Sequence, residues 1–161
     1  MSESAKVIAL REKNRKTVDA YIASGFGDLS LFSEDAYKEL SFATYPALFN
    51  DDNETPMSWK GKEALTGNFK FNADNFRGGA KSYTLFSTND PSRFFAEMEV
   101  EGTYKIEGKT YPYRQPYYIM TFTVTDGLIS LIREVFNPLQ LLKTSGSTRP
   151  EALTERYAPL D

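Results

Sequence analysis

The 161-residue chain is predicted to form one α+β domain, with N-terminal helices packed on a strongly curved antiparallel sheet. Such an arrangement makes a cone-shaped α+β barrel, closed at one end and open at the other. Three observations predict it. Helical patterning is confined to the part of the chain ahead of Gly78-Gly79. The remainder is dominated by long β-rich runs, and helices followed by strands is the α+β order. Two of those runs flank Asp126-Gly127, the strongest short-range signal for a two-residue type I′ hairpin, because both central positions need positive φ.

The elements follow in order. Residues 3–24 predict a helix: Val7, Leu10, Asn14, Val18, Tyr21 and Ile22 recur at near-helical spacing, while Arg11, Lys13, Arg15 and Lys16 form a solvated face. Gly25 and Gly27 end it. A short helix or turn is expected over 28–32, a capped turn at Ser33-Glu34-Asp35, and a strand over 36–45 despite its charged interruptions. Asn50-Asp51-Asp52-Asn53-Glu54 is an acidic, turn-rich loop. It lacks the alternating spacing and closing glutamate of a calcium loop, so no metal is assigned to it. Residues 57–61 lead into a third helix from Lys62 to about Phe71, with Trp59 ahead of it as core or pocket wall.

Gly78-Gly79 is expected to break the chain, with a strand over 81–88 and a turn at Asn89-Asp90-Pro91. Residues 93–106 alternate Phe94, Ala96, Met98 and Val100 with Glu97, Glu99 and Glu101, the pattern of a strand with one covered face. Glu107-Gly108 turns the chain back, and Arg114 is placed to neutralise one of those glutamates. Residues 1–146 are taken as the domain and 147–161, with Pro150 and Pro159, as a C-terminal tail.

Counting outward from the Asp-Gly turn pairs Thr125 with Leu128, Thr121 with Ile132, Ile119 with Glu134 and Tyr117 with Phe136. Directly opposed residues share a face. One face is therefore predicted to carry Gln115, Tyr117, Ile119, Thr121, Ile132, Glu134 and Phe136. The other carries Tyr118, Met120, Phe122, Val124, Ile129, Leu131, Arg133 and Val135. Glu134 thus sits deep in a strand among Ile119, Ile132 and Phe136. A carboxyl in apolar surroundings holds its proton to higher pH and becomes a usable acid near neutrality. A glutamate paired with an arginine on a partly wet face is the plainer reading of the same position. Both faces are largely apolar, so one is assigned to the helices and a pocket containing Glu134, and the other to a partner in a twofold dimer.

Composition narrows the chemistry. The net charge of -3 and the lack of a basic cluster argue against a nucleic-acid partner. There is no cysteine, so a disulfide framework, a thiol nucleophile and a thiolate metal site are excluded. There is no histidine either, which removes Ser-His-Asp chemistry, imidazole bases and imidazole metal sites. Carboxylate, Tyr, Lys and backbone groups remain, and no cofactor is expected. The 12 Phe and 10 Tyr suit a sheet wrapped round a pocket or a plain β-rich core. No apolar run approaches transmembrane length and no signal-peptide pattern opens the chain, so a cytoplasmic protein without a membrane partner is expected.

The sequence also resembles a known family. The matching residues, in order, are Leu10-Arg11, Asn14-Arg15, Thr17-Val18, Leu31-Phe32, Glu34-Asp35, Gly61, Glu63, Leu65, Asp90-Pro91, Phe94, Glu97, Gly102, Tyr118-Ile119, Phe122, Gly127, Ile129, Arg133-Glu134, Asn137-Pro138 and Gln140. They span roughly 10–146, and Arg133-Glu134 with Asn137-Pro138 is the most distinctive segment. On these residues the chain resembles the phenazine-biosynthesis A/B (PhzA/PhzB) proteins of the SnoaL-like, nuclear-transport-factor-2-like (NTF2-like) superfamily. The resemblance implies an NTF2-like barrel, a homodimer with one small-molecule pocket per subunit, and Glu134 as the acid–base residue. The implied reaction is condensation of two aminoketones, through an imine, into a phenazine precursor. It also implies a histidine beside the glutamate. Here no histidine exists, and Lys62 stands in the segment where one is expected.

Three functions follow. The first is an enzyme in which Glu134 is catalytic, Tyr117 and Gln115 orient it, and Trp59, Tyr83, Met98, Ile119 and Phe136 line an aromatic pocket. The second is a ligand-binding protein that keeps the pocket without turnover. The third is a structural dimer whose pocket is filled by side chains.

Overall fold

A computed structural model of the chain describes residues 4–44, 56–106 and 108–144. The acidic loop at 50–54 and the tail after Thr144 lie outside the described residues. The elements are α1 (Ala5–Ala23), a 3-10 turn (Leu29–Leu31), β1 (Phe32–Thr44), β2 (Pro56–Lys60), α2 (Lys62–Asn75), β3 (Phe76–Ser87), β4 (Arg93–Ile106), β5 (Lys109–Thr125), β6 (Leu128–Phe136) and α3 (Pro138–Thr144). The strands form one sheet in the order β2-β1-β6-β5-β4-β3. Neighbours are antiparallel except β1 and β6, which run parallel, so the sheet is mixed where a wholly antiparallel one was expected.

The long strands need buried alternate residues, and they have them. Phe94, Ala96, Met98 and Val100 of β4 are buried, as their alternation predicts. Across them lie Val18, Tyr21 and Ile22 of α1 and Leu65 and Phe69 of α2. Each large apolar side chain taken fully out of water contributes about 1.5–3 kcal/mol, and this burial holds the two helices on the sheet. Ser4 caps α1 through Val7 N. Polar residues of α1 then lock it to two hairpin turns. Asn14, buried inside the apolar stripe, donates to Pro91 O at 3.1 Å, and Thr17 donates to Gly127 O at 2.9 Å. Arg11, assigned to the solvated face, instead donates to Thr88 O and Asn89 O.

Two local expectations fail for identifiable reasons. Ser33-Glu34-Asp35 caps no turn, because β1 already begins at Phe32. Gly78-Gly79 does not break the chain: β3 runs through it from Phe76. Gly78 pairs with Gly102 across the β3–β4 ladder, and a Cβ on Gly78 would meet the Glu101 backbone and fall 2.8 Å from the Phe76 ring. The glycines thus let two strands and an aromatic ring come closer than side chains permit.

The type I′ turn forms as expected, with φ of 56° at Asp126 and 84° at Gly127, and Thr125 opposite Leu128. Beyond the first two pairs the register slips by one. Val124 faces Ile129 but Thr123 faces Leu131, leaving Ser130 as a bulge residue. A one-residue bulge turns every later side chain to the other face. Glu134 therefore pairs with Met120, not Ile119, and Phe136 pairs with Tyr118, not Tyr117. A second bulge follows in β5, where Met98 faces Tyr118 but Val100 faces Gln115. Pro116, which has no N–H for the ladder, lies inside it. Among the described residues no helix is long and apolar enough to cross a membrane.

Candidate functional site

The inward face of β1 carries Ala36, Lys38 and Leu40 at alternate positions, all buried. The inward face of β6 carries Ile132, Glu134 and Phe136. Because β1 and β6 are paired in parallel with Lys38 opposite Ile132 and Leu40 opposite Glu134, a long lysine side chain reaches the carboxylate two pairs along on the same face. Lys38 Nζ lies 2.9 Å from Glu134 Oε1, with side chains 4% and 7% exposed. Tyr118 Oη donates to Glu134 Oε2 at 2.8 Å, so both carboxylate oxygens are engaged. The ammonium also faces two rings, 5.5 Å from the Phe69 centroid and 5.8 Å from the Trp59 centroid.

This triad lines a cavity of about 320 Å³, at the small end of the range for ligand sites. Its walls are aromatic. Tyr118 stacks on Phe136 with centroids 5.0 Å apart and on Phe26 at 6.5 Å. Phe76, Tyr104 and Tyr113, also in its lining, pack on one another at 5.3–5.7 Å. The stacked faces of Tyr118, Phe136 and Phe26 suit planar rings. Asn68 and Asn72 of α2 add amides joined by a 3.4 Å hydrogen bond, and exposed Arg77 adds a cation.

Behind the triad, Tyr21 is fully buried and makes ring contacts with Phe26, Phe32, Phe69 and Phe122. Burial first, and the Glu134 charge second, push its phenol well above its ordinary value, so it remains a neutral donor. Its Oη has no hydrogen-bond partner among the described residues.

The residues singled out from sequence divide. Glu134, Trp59 and Phe136 line the cavity. Gln115 is fully buried but donates to Asn137 O at 2.7 Å, fixing the β6–α3 junction and leaving Glu134 untouched. Met98 is buried in the core behind the cavity wall. Tyr83 is 40% exposed and donates to Asp19 of α1. Tyr117, 86% exposed, and Ile119, 37% exposed, lie outside because the bulge at Ser130 puts Tyr118 in the place expected for Tyr117. Lys62 pairs at 2.8 Å with Glu34 at the surface, and Arg114 pairs with Glu99 as expected. Nor is Glu134 a carboxyl alone among apolar groups, since a cation and a phenol hold it.

Lys38 is the residue sequence reasoning missed. A signal was present: Lys38 sits between Ala36 and Leu40 at the strand period, which places it on their buried face. Among the described residues no cluster of three or more acidic side chains has the spacing of a metal site.

Known proteins share this fold. The profile of the family described as phenazine biosynthesis protein A/B matches residues 3–156. A phenazine biosynthesis protein PhzA of Pseudomonas fluorescens is 27% identical over 153 residues, covering 92% of this chain and 89% of its own. The crystal structure of a phenazine biosynthesis-related protein, PhzB2, from Pseudomonas aeruginosa superposes with a TM-score of 0.75 at 26% identity, covering 93% of this chain and 90% of that one. An NTF2-like protein of Burkholderia xenovorans, only 15% identical, shares the fold with a TM-score of 0.59 over 83% of this chain and 95% of its own. The expected NTF2-like α+β fold is the one observed, with its curved sheet left open between β2 and β3.

Proposed function

The chain belongs to the phenazine biosynthesis protein A/B family, and from that premise we propose that it performs acid–base chemistry on a small carbonyl compound. The reaction is a condensation, cyclisation or isomerisation, with condensation of two aminoketones first among these. The observation that carries this reading is the buried Lys38–Glu134–Tyr118 triad opening onto an aromatic cavity. An ammonium 2.9 Å from a carboxylate is a proton donor beside a proton acceptor. Forming an imine needs both: the carbonyl oxygen must gain protons to leave as water, and the attacking amine must lose them. Glu134 takes and returns the proton, Lys38 supplies it, and Tyr118 fixes the carboxylate plane. Stacked walls at Phe26, Tyr118 and Phe136 hold two rings in contact, which raises their effective concentration. Trp59 and Phe136 are ligand contacts, and no metal or cofactor enters this scheme.

The test uses 2-aminocyclohexanone, a simple aminoketone that self-condenses with loss of water. Wild-type protein accelerates its disappearance, and Glu134→Gln lowers that rate about 10²-fold or more, the usual size of a positioned acid–base group. Glu134→Asp, which keeps the charge but withdraws it from the pocket, also loses rate while retaining the fold. Wild-type rates in both variants would refute the assignment. Tight binding of the same compound with no acceleration in wild type would favour a non-catalytic ligand-binding protein instead.

We also infer a homodimer formed through the outer sheet face. Phe86 stacks on Phe95 there at 4.6 Å, with Ile119 and Val135 exposed two residues along the ladder. Such an apolar patch is normally covered. Sedimentation giving a monomer at micromolar concentration would contradict this.

A further inference from the structure

We propose that Lys38 is a covalent amine catalyst, attacking a ketone in the cavity to form an iminium paired with Glu134. This rests on the reading of Glu134 as the acid–base group. Three observations carry it. The Lys38 side chain is 4% exposed, yet it lines the cavity. Its proton has an acceptor in place, Glu134 Oε1 at 2.9 Å. Phe69 and Trp59 flank the amine at 5.5 and 5.8 Å, which limits its hydration and leaves the cavity as its open side.

The step balances without an outside reagent. The Lys38 ammonium gives a proton to Glu134, and the freed amine pair bonds to the carbonyl carbon as the C=O π pair moves to oxygen. Glu134 passes its proton to that oxygen, then accepts a second proton from nitrogen and delivers it to the hydroxyl. Water leaves and the nitrogen pair forms C=N. Ammonium and ketone have become iminium and water. The charge is +1 before and after, so Glu134 keeps a cationic partner at the end of the step. A buried ion pair that survives the chemistry avoids leaving an unpaired buried charge, which is the costly alternative. The iminium is a stronger electrophile than the ketone, so the amine of a second aminoketone can attack its carbon and expel Lys38. That exchange leaves the new C=N bond between the two substrate units and restores the lysine.

The covalent step is read with cyclohexanone, which cannot condense with itself through an amine. The wild-type protein is incubated with it and sodium cyanoborohydride, digested and mapped by mass spectrometry. A single cyclohexyl group on Lys38, in excess over exposed Lys13, Lys70 and Lys81, is the expected result. Lys38→Arg keeps the cation and its pairing with Glu134 but forms no stable adduct. It loses both the label and most of the 2-aminocyclohexanone condensation. Labelling confined to exposed lysines, or none at all, overturns the proposal. If in addition Lys38→Arg condenses at the wild-type rate while Glu134→Asp does not, the covalent step fails and the glutamate assignment stands. If Glu134→Asp keeps its rate, the glutamate assignment fails.

Discussion

Two ion pairs bridge the same two strands, one residue apart, and differ in almost everything but length. Inside, Lys38 of β1 meets Glu134 of β6 at 2.9 Å with side chains 4% and 7% exposed. Outside, Glu39 of β1 meets Arg133 of β6, also at 2.9 Å, with side chains 11% and 47% exposed. The strand pleat sends successive residues to opposite faces, so two adjacent charges on each strand give one pair in the cavity and one on the surface. The charges are reversed between them. Water reaches the Arg133 end of the outer pair and screens it in part, whereas fully exposed pairs contribute about 0–1 kcal/mol. The inner pair gave up its hydration, and each member depends on the other. A distance alone does not say what an ion pair contributes; its surroundings do.

The largest expected difference follows directly. Lys38→Met should destabilise the fold by about 3–5 kcal/mol, because Glu134 is left buried without its cation. Arg133→Met should cost less than that, because water reaches the outer pair through the half-exposed Arg133. Urea unfolding of the two variants measures both, and equal losses would abolish the distinction. Joining Lys38→Met to Glu134→Leu removes the stranded charge, and stability should return to the wild-type value or exceed it by about 1–4 kcal/mol. A double variant weaker than Lys38→Met would contradict that.

Smaller effects test the surroundings. Tyr118→Phe removes a hydrogen bond to a charged group and should cost about 1.5–3 kcal/mol, with unchanged packing on Phe136. Tyr21→Phe should have the least effect at neutral pH, where it deletes a hydroxyl without a hydrogen-bond partner among the described residues. At alkaline pH it should matter. The folded-state pKa of Tyr21 is raised above its ordinary 10.0, so the stability it contributes is intact below pH 10.0 and lost as pH rises toward the folded value. In Tyr21→Phe that loss is absent, and the decline of the unfolding midpoint above pH 10.0 should be shallower than in wild type.

The fold was legible because its signals are local and periodic. The alternation of β4, the spacing of Val18, Tyr21 and Ile22, and the Asp126-Gly127 turn each report through neighbouring residues. The site was legible only in part. Glu134 stood out as a carboxylate inside an apolar strand, and it is in the cavity. Its companions were misplaced because a bulge at Ser130 carries no obvious sequence mark, and one extra residue exchanged Tyr117 for Tyr118. The bulge around Pro116 had a mark, a proline within a strand, and it restored Gln115 to the inward face. Lys38 was visible in the Ala36–Lys38–Leu40 alternation. Its partner was not, since parallel pairing of β1 with β6 joins residues nearly a hundred positions apart.

The two pairs also give the most direct test of where function resides. The rate of 2-aminocyclohexanone condensation is compared in two charge-free double variants, Lys38→Met with Glu134→Leu and Glu39→Leu with Arg133→Met, after circular dichroism shows both folded. The inner variant should be folded and inactive, and the outer one folded and active at close to the wild-type rate. An inner variant that retains the wild-type rate would show that the buried pair is structural and that the chemistry lies elsewhere.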